Sequence, residues 1–173
     1  SRGLGDVYKR QKHMHELKSL QLESNGITEF VPLPYVASEA PMYLRGLSRS
    51  GPSFRESVLV HSISRIYLNE SIKNIQGSWV KMGYAGLSYL LDSGINDVGG
   101  ILMNETITRS AGARHGQELD LIYIKNIVES KNMKLIERNT KYDLLKEPTK
   151  ANFDKLKLKL KDINHFDQER SFT

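Results

Sequence analysis

The sequence predicts an α/β fold built from parallel-strand βαβ units, and three observations predict it. NIQGSWVK, starting at Asn74, reads as a short strand. It is followed by a helix-length segment, GYAGLSYLLDSG, closed by Gly94, and then by a second short strand, NDVGGILM from Asn96. Strand, helix and strand in that order are the unit of a parallel sheet. The same alternation occurs earlier, where an apolar segment at 28–33 precedes a helical one opening at Ser53. The later strands also carry Gln, Ser, Asp and Gly where a purely structural strand would carry Val or Leu. In folds of this class such residues gather at the strand C-termini, where ligands bind.

The N-terminal residues stand apart. The chain opens without Met, and DVYKRQ (Asp6 to Gln11) is the translation of GATGTGTATAAGAGACAG, the mosaic end used in transposon-based sequencing libraries. Residues 1–11 are therefore read as adapter read-through and set aside from fold reasoning; a genuine Lys/Arg-rich leader is the alternative. A helix is expected over about 13–23, and a first strand over 28–33 after Asn25-Gly26. A long loop rich in Pro and Gly, 34–52, follows. Ser53 with Glu56 three residues on forms a capping-box pattern, opening a helix to about Leu68. Its periodicity places Leu59, Ile63 and Ile66 on the buried side and Val58, Ser62 and Arg65 on the other.

The second strand is expected at 75–80. Alternation sets Gln76, Ser78 and Val80 on one face and Ile75, Gly77 and Trp79 on the other, toward the helices. A helix at 84–93 leads to a third strand at 97–102, then to a polar loop at 104–116 and a helix at about 118–130. A short extended piece is expected at 134–137. From Lys146 the composition shifts to Lys, Leu and Asn. Phe153, Leu156, Leu160 and Ile163 recur at helical spacing, although Leu156, Leu158 and Leu160 also alternate as in a strand. The domain division is thus 1–11, a folded region at 12–145, and a lysine-rich, helical tail at 146–173.

With 173 residues, 39% hydrophobic and 26% charged, the chain is long enough to bury one sizeable core. No stretch reaches the roughly 18 consecutive apolar residues of a membrane span. No secretory pattern opens the chain, so a cytoplasmic setting without a membrane partner is expected. The net charge of +5 is concentrated partly in the tail stretch KANFDKLKLKLKD, 150–162. No aromatic-interleaved basic stripe or zinc-finger spacing accompanies it, so nucleic acid is not an expected partner. The chain contains no cysteine, which excludes disulfides and thiolate-held metal.

EFVPLPYVASEAPMYLRG (29–46), GPSFRE (51–56), NIQGSWVKMG, NDVGGILMNE and SAGARHGQE (110–118) carry a resemblance. They resemble the C-terminal half of the radical S-adenosylmethionine enzymes that make deazaflavin, above all the tyrosine-using subunit of FO synthase. The two futalosine-pathway menaquinone enzymes are its relatives. The resemblance runs from about Glu16 to Tyr142, where RNTKY echoes an R-x-T-x-Y ending. EAPMYL and HGQE favour the FO-synthase branch; Ala37-Ser38 and Tyr84 depart from it. The resemblance implies a partial TIM-type barrel, about three C-terminal βα units with a helical C-terminal extension, completed by an N-terminal barrel half. It implies S-adenosyl-L-methionine and a 4Fe-4S cluster in the full-length enzyme, the cluster held by a CxxxCxxC motif absent from this chain. It further implies a transferase in deazaflavin biosynthesis: a 5'-deoxyadenosyl radical attacks L-tyrosine, and the 4-hydroxybenzyl group adds to 5-amino-6-(D-ribitylamino)uracil. This chain by itself is then expected to be inactive. A futalosine-pathway fragment and a cysteine-free binding module without catalysis are the alternatives.

The mouth of such a barrel would gather Glu39 and Tyr43 from the first long loop, Gln76, Ser78 and Lys81 from the second strand, and Asp97, Glu105 and Arg109 around the third. His115 follows in a glycine-flanked loop, and Gly99-Gly100 lets a planar ligand approach the main chain. Each has a plainer reading. Gln76 and Ser78 could be satisfied across the barrel, Asp97 could cap a turn beside Asn96, and Lys81 could be solvated. His115 could be an ordinary loop residue. Glu105 and Arg109 are spaced as a helix-surface ion pair worth about 0.3–0.5 kcal/mol. Trp79 reads as core rather than as a stacking platform, and His13-x-His15 lacks the further ligands a metal needs. No Gly-x-Ser-x-Gly, Walker or GxGxxG motif is present.

Overall fold

Asn25 ends the first helix, α1 (Arg2–Ser24). Its backbone turns to a φ of 48° and its N–H returns 2.8 Å to the Gln21 carbonyl, a left-handed cap of the kind Asn tolerates. In this computed structural model residues 2–100 and 120–145 are described, with side chains from residue 7 onward. The helix starts at Arg2 rather than near His13, so the segment set aside in the sequence forms its first turns.

The chain divides into two compact units at Gln117 and Glu118. In the first, α1 is followed by β1 (Glu29–Phe30), α2 (Pro41–Leu44), α3 (Phe54–Leu68), β2 (Asn74–Ile75) and α4 (Trp79–Asp92). β1 and β2 pair in parallel with Glu29 opposite Asn74 and Phe30 opposite Ile75, and a single parallel bridge joins Gln76 to Asp97. The three predicted strands therefore lie side by side in chain order, each shorter than expected. Pro32 and Pro34 lack the N–H a ladder needs, so β1 stops at Phe30. The second strand was expected to reach Val80. Instead it gives way after Gln76: Ser78 is the N-cap of α4 and Trp79 its first residue. Of the third strand, Asp97 makes the bridge and 101–102 lie outside the described residues.

α3 opens as its capping box predicts. The Ser53 hydroxyl accepts from the Glu56 N–H, and the Glu56 carboxylate accepts from the Ser53 N–H at 2.7 Å. The helix is rotated from the predicted orientation. Leu59, Ile63 and Ile66 are 45%, 52% and 82% exposed, whereas Ser57, His61, Ser64 and Leu68 are buried. Small residues permit close packing, and Ser57 and Ser64 satisfy their hydroxyls on the carbonyls of Ser53 and Val60 one turn back. Met14, Leu68 and Ile72 form a buried cluster bordered by Ile27 and Phe30. Ile75, Leu87, Leu90 and Ile95 are also buried.

In the second unit, the Asp120 side chain accepts from the N–H groups of Ile122 and Tyr123 and opens α5 (Leu121–Glu129). Beyond it, Arg138 and Leu144 form an antiparallel bridge around a turn in which the Arg138 guanidinium lies 4.0 Å from the Tyr142 ring centre. The expected piece at 134–137 forms no strand. The proposed tail helix, 146–173, lies outside the described residues.

Candidate functional site

Two asparagines set the register at the N-terminal ends of the strands. Asn96 Oδ1 accepts from the Ile75 N–H at 2.9 Å and from Arg65 at 2.7 Å, and its amide donates to Asn74. Asn74 in turn donates to the Thr28 carbonyl, tying all three strands together. Arg65 also donates to the carbonyls of Gly94 and Lys73. The Asn of each motif thus has a structural role, leaving the residues that follow it to face the opposite strand ends.

There the Gln76 amide donates to Asp97 Oδ1 at 3.3 Å, and the same oxygen accepts from the Gly99 N–H at 2.6 Å. Asp97 is buried and Gln76 half-buried. Asp97 thus bonds forward to Gly99, where its plainer reading had it capping the preceding turn, and it also couples to the neighbouring strand. Gly99 has a φ of 79°, so a side chain there would be strained, and its Cβ would stand in contact with the Gln76 amide at 3.4 Å. Gly77 marks the other side. A Cβ on it would point at Ile95, Leu90 and Leu87, the nearest at 2.6 Å. The predicted alternation therefore holds at the strand end, with Gly77 against the helical layer and Gln76 opposite.

Ser78 is half-buried and makes no side-chain cap bond to α4. Trp79 is buried, as expected, but its indole N–H reaches the Gly100 carbonyl at 3.3 Å and its ring stacks on Tyr84. Lys81 is half-buried in the first turn of α4. Glu39, in the loop after β1, and Tyr43, in α2, are exposed; the loop closes at its neck where Gly51, at φ 89°, packs directly on the Tyr35 carbonyl. Glu105, Arg109 and His115 lie outside the described residues. Among the described residues, no His, Cys, Asp and Glu cluster could hold a metal; His15 pairs with the Tyr67 hydroxyl.

Sequence reasoning passed over His61. It is 1% exposed, with Nδ1 2.7 Å from the Ser57 carbonyl and Nε2 buried without a hydrogen bond. Burial lowers its pKa below the usual histidine value, against the pull of the Ser57 and Gln76 backbone. A histidine between Val60 and Ser62 gives no local signal, because its burial depends on the rotation of α3. Glu56 is perturbed as well. The Ser53 N–H, then the guanidinium groups of Arg49 and Arg10, hold its carboxyl down to about 2.

Parallel strands joined through helices, with a coupled amide and carboxylate at their C-terminal ends, make this an α/β fragment. The family described as the CofH/MqnC C-terminal region matches residues 24–151, and the chain belongs to that family. It is 45% identical over 130 residues to FO synthase of Nocardia farcinica, covering 75% of this chain and 15% of that protein. It is similarly 43% identical over 134 residues to the 5-amino-6-(D-ribitylamino)uracil–L-tyrosine 4-hydroxyphenyl transferase of Methanopyrus kandleri, covering 78% and 36%. The transferase of the same name from Methanocaldococcus jannaschii is 41% identical over 133 residues, covering 77% and 37%. The chain thus spans well under half the length of these relatives.

Proposed function

We propose that this chain is the C-terminal portion of a transferase that joins the 4-hydroxybenzyl group of L-tyrosine to 5-amino-6-(D-ribitylamino)uracil in deazaflavin biosynthesis. Its strands would be the last βα units of a TIM-type barrel, completed by the region that the longer relatives carry. A cytoplasmic setting goes with that metabolic role. The family match supports the reading, and the observation that carries it here is the Gln76–Asp97 pair beside Gly99 at the strand C-termini.

The resemblance also implies a 4Fe-4S cluster and S-adenosylmethionine. A chain without cysteine does not fit the cluster, so its ligands would come from elsewhere. What these residues offer is orientation. The Gln76 amide has donor and acceptor capacity for a uracil edge or an amino-acid headgroup. Asp97 fixes that amide, and the glycines admit a flat ring close to the main chain. Ser78, Lys81, Glu39 and Tyr43 would contribute further polar contacts, with Glu105, Arg109 and His115 from the following loop. For radical chemistry such groups hold substrates and exclude water rather than move protons.

The test uses the full-length protein containing this segment, given both substrates and S-adenosylmethionine under anaerobic reducing conditions, with product read by mass spectrometry. Tyrosine-dependent product is expected. Asp97→Leu and Ser78→Leu should cut turnover roughly a hundredfold while the proteins stay folded. Failure to consume tyrosine, or wild-type rates in both variants, would reject the reading.

A further inference from the structure

Gly83 interrupts α4. Its φ of 67° and ψ of 175° lie outside helical space, so the span is two helical segments meeting at a break. In an unbroken helix, residues 79 and 84 would sit about 140° apart around the axis, at 3.6 residues per turn, and their rings would not meet. Across the break they do: the Trp79 and Tyr84 rings lie 6.3 Å apart with planes 9° from parallel. The buried indole, held in this way, donates to the Gly100 carbonyl. Among the described residues, a Cβ on Gly100 would meet nothing within 4 Å. One residue earlier, the Gly99 N–H is bound by Asp97, and Gly99 lies against the Gln76 amide.

We propose that Trp79 is a positioning residue: stacked on Tyr84 across the Gly83 break, its indole N–H sets the path of the Gly99–Gly100 main chain beside the Gln76–Asp97 pair. The bearing of this clasp on substrate rests on the function proposed above; the clasp itself does not. The hydrogen bond, rather than the bulk of the ring, is the active element. Replacement by another aromatic therefore fills the space and loses the function. Tyr84 acts one step further back, through its ring face.

Trp79 is the only tryptophan in the chain, so a 15N-labelled 173-residue protein gives one indole N–H resonance. In Trp79→Phe, which keeps a ring and removes the donor, the Gly99 and Gly100 amides and the Gln76 side-chain amide should shift or broaden. Tyr84→Phe should leave the indole resonance in place, and Tyr84→Ala should move it together with those of Gly99 and Gly100. In the full-length protein, Trp79→Phe should lower kcat for tyrosine roughly tenfold or more, with KM little changed and Tyr84→Phe near wild type. Unmoved Gly99 and Gly100 resonances in Trp79→Phe overturn the inference, whatever becomes of the transferase reading. Should that variant not fold, unmoved glycine resonances in Tyr84→Ala overturn it equally. Moved resonances bear the clasp out; if turnover is then undiminished, it is the proposed role of these strand ends that fails.

Discussion

His61 joins burial, titration and packing in one side chain. Its folded pKa is lowered, chiefly by desolvation, so the unfolded chain binds the proton more readily. The fold accordingly keeps the benefit of a neutral imidazole above the ordinary histidine pKa and loses it as pH falls through that value, by at most about 1.4 kcal/mol per pH unit. Thermal melts from pH 8 to pH 5 should show wild type losing stability faster than His61→Leu. Equal slopes would mean that His61 is hydrated in solution. Glu56 has the same sense by the opposite chemistry. Its carboxyl is held at about 2, so its contribution is present above the ordinary glutamate pKa and is lost as pH falls toward 2. Gly99→Ala should cost about 1 kcal/mol or more through the strain of a positive φ, and its new methyl, in contact with the Gln76 amide, should shift the Gln76 side-chain resonances.

Between elements, the register depends on side chains more than on ladders, because β1 and β2 are two residues each. Asn96 does what longer strands would do, receiving the Ile75 N–H and Arg65 on one oxygen. Asn96→Ala should therefore cost about 0.5–1.5 kcal/mol by removing these bonds, measured as a lower urea midpoint. Asn96→Asp, which keeps the acceptor, should recover part of that loss. Full stability in Asn96→Ala would place the register in the core instead. The rotation of α3 belongs to the same scale. Helical spacing fits Leu59–Ile63–Ile66 and Ser57–His61–Ser64–Leu68 alike, and hydrophobicity alone chooses the wrong stripe. The buried stripe is the one whose small side chains admit close neighbours and whose hydroxyls bond within their own helix.

At the scale of the whole molecule, the chain matches a C-terminal region family and spans 15 to 37% of the three relatives described above. With no cysteine, it should take up no iron–sulfur cluster on anaerobic reconstitution. An S-adenosylmethionine-responsive paramagnetic signal at one cluster per chain would contradict that expectation. By itself the sequence determined the parallel strand order, the capping box at Ser53, the opposed faces of Gln76 and Gly77, and the family, because each is written in local spacing or in a contiguous motif. The buried face of α3, the burial of His61 and the reach of Trp79 to Gly100 were decided only in three dimensions. Those features depend on which neighbour arrives from twenty or more residues away. A helix turns to whichever stripe packs most closely. No window of the sequence contains both sides of such a contact.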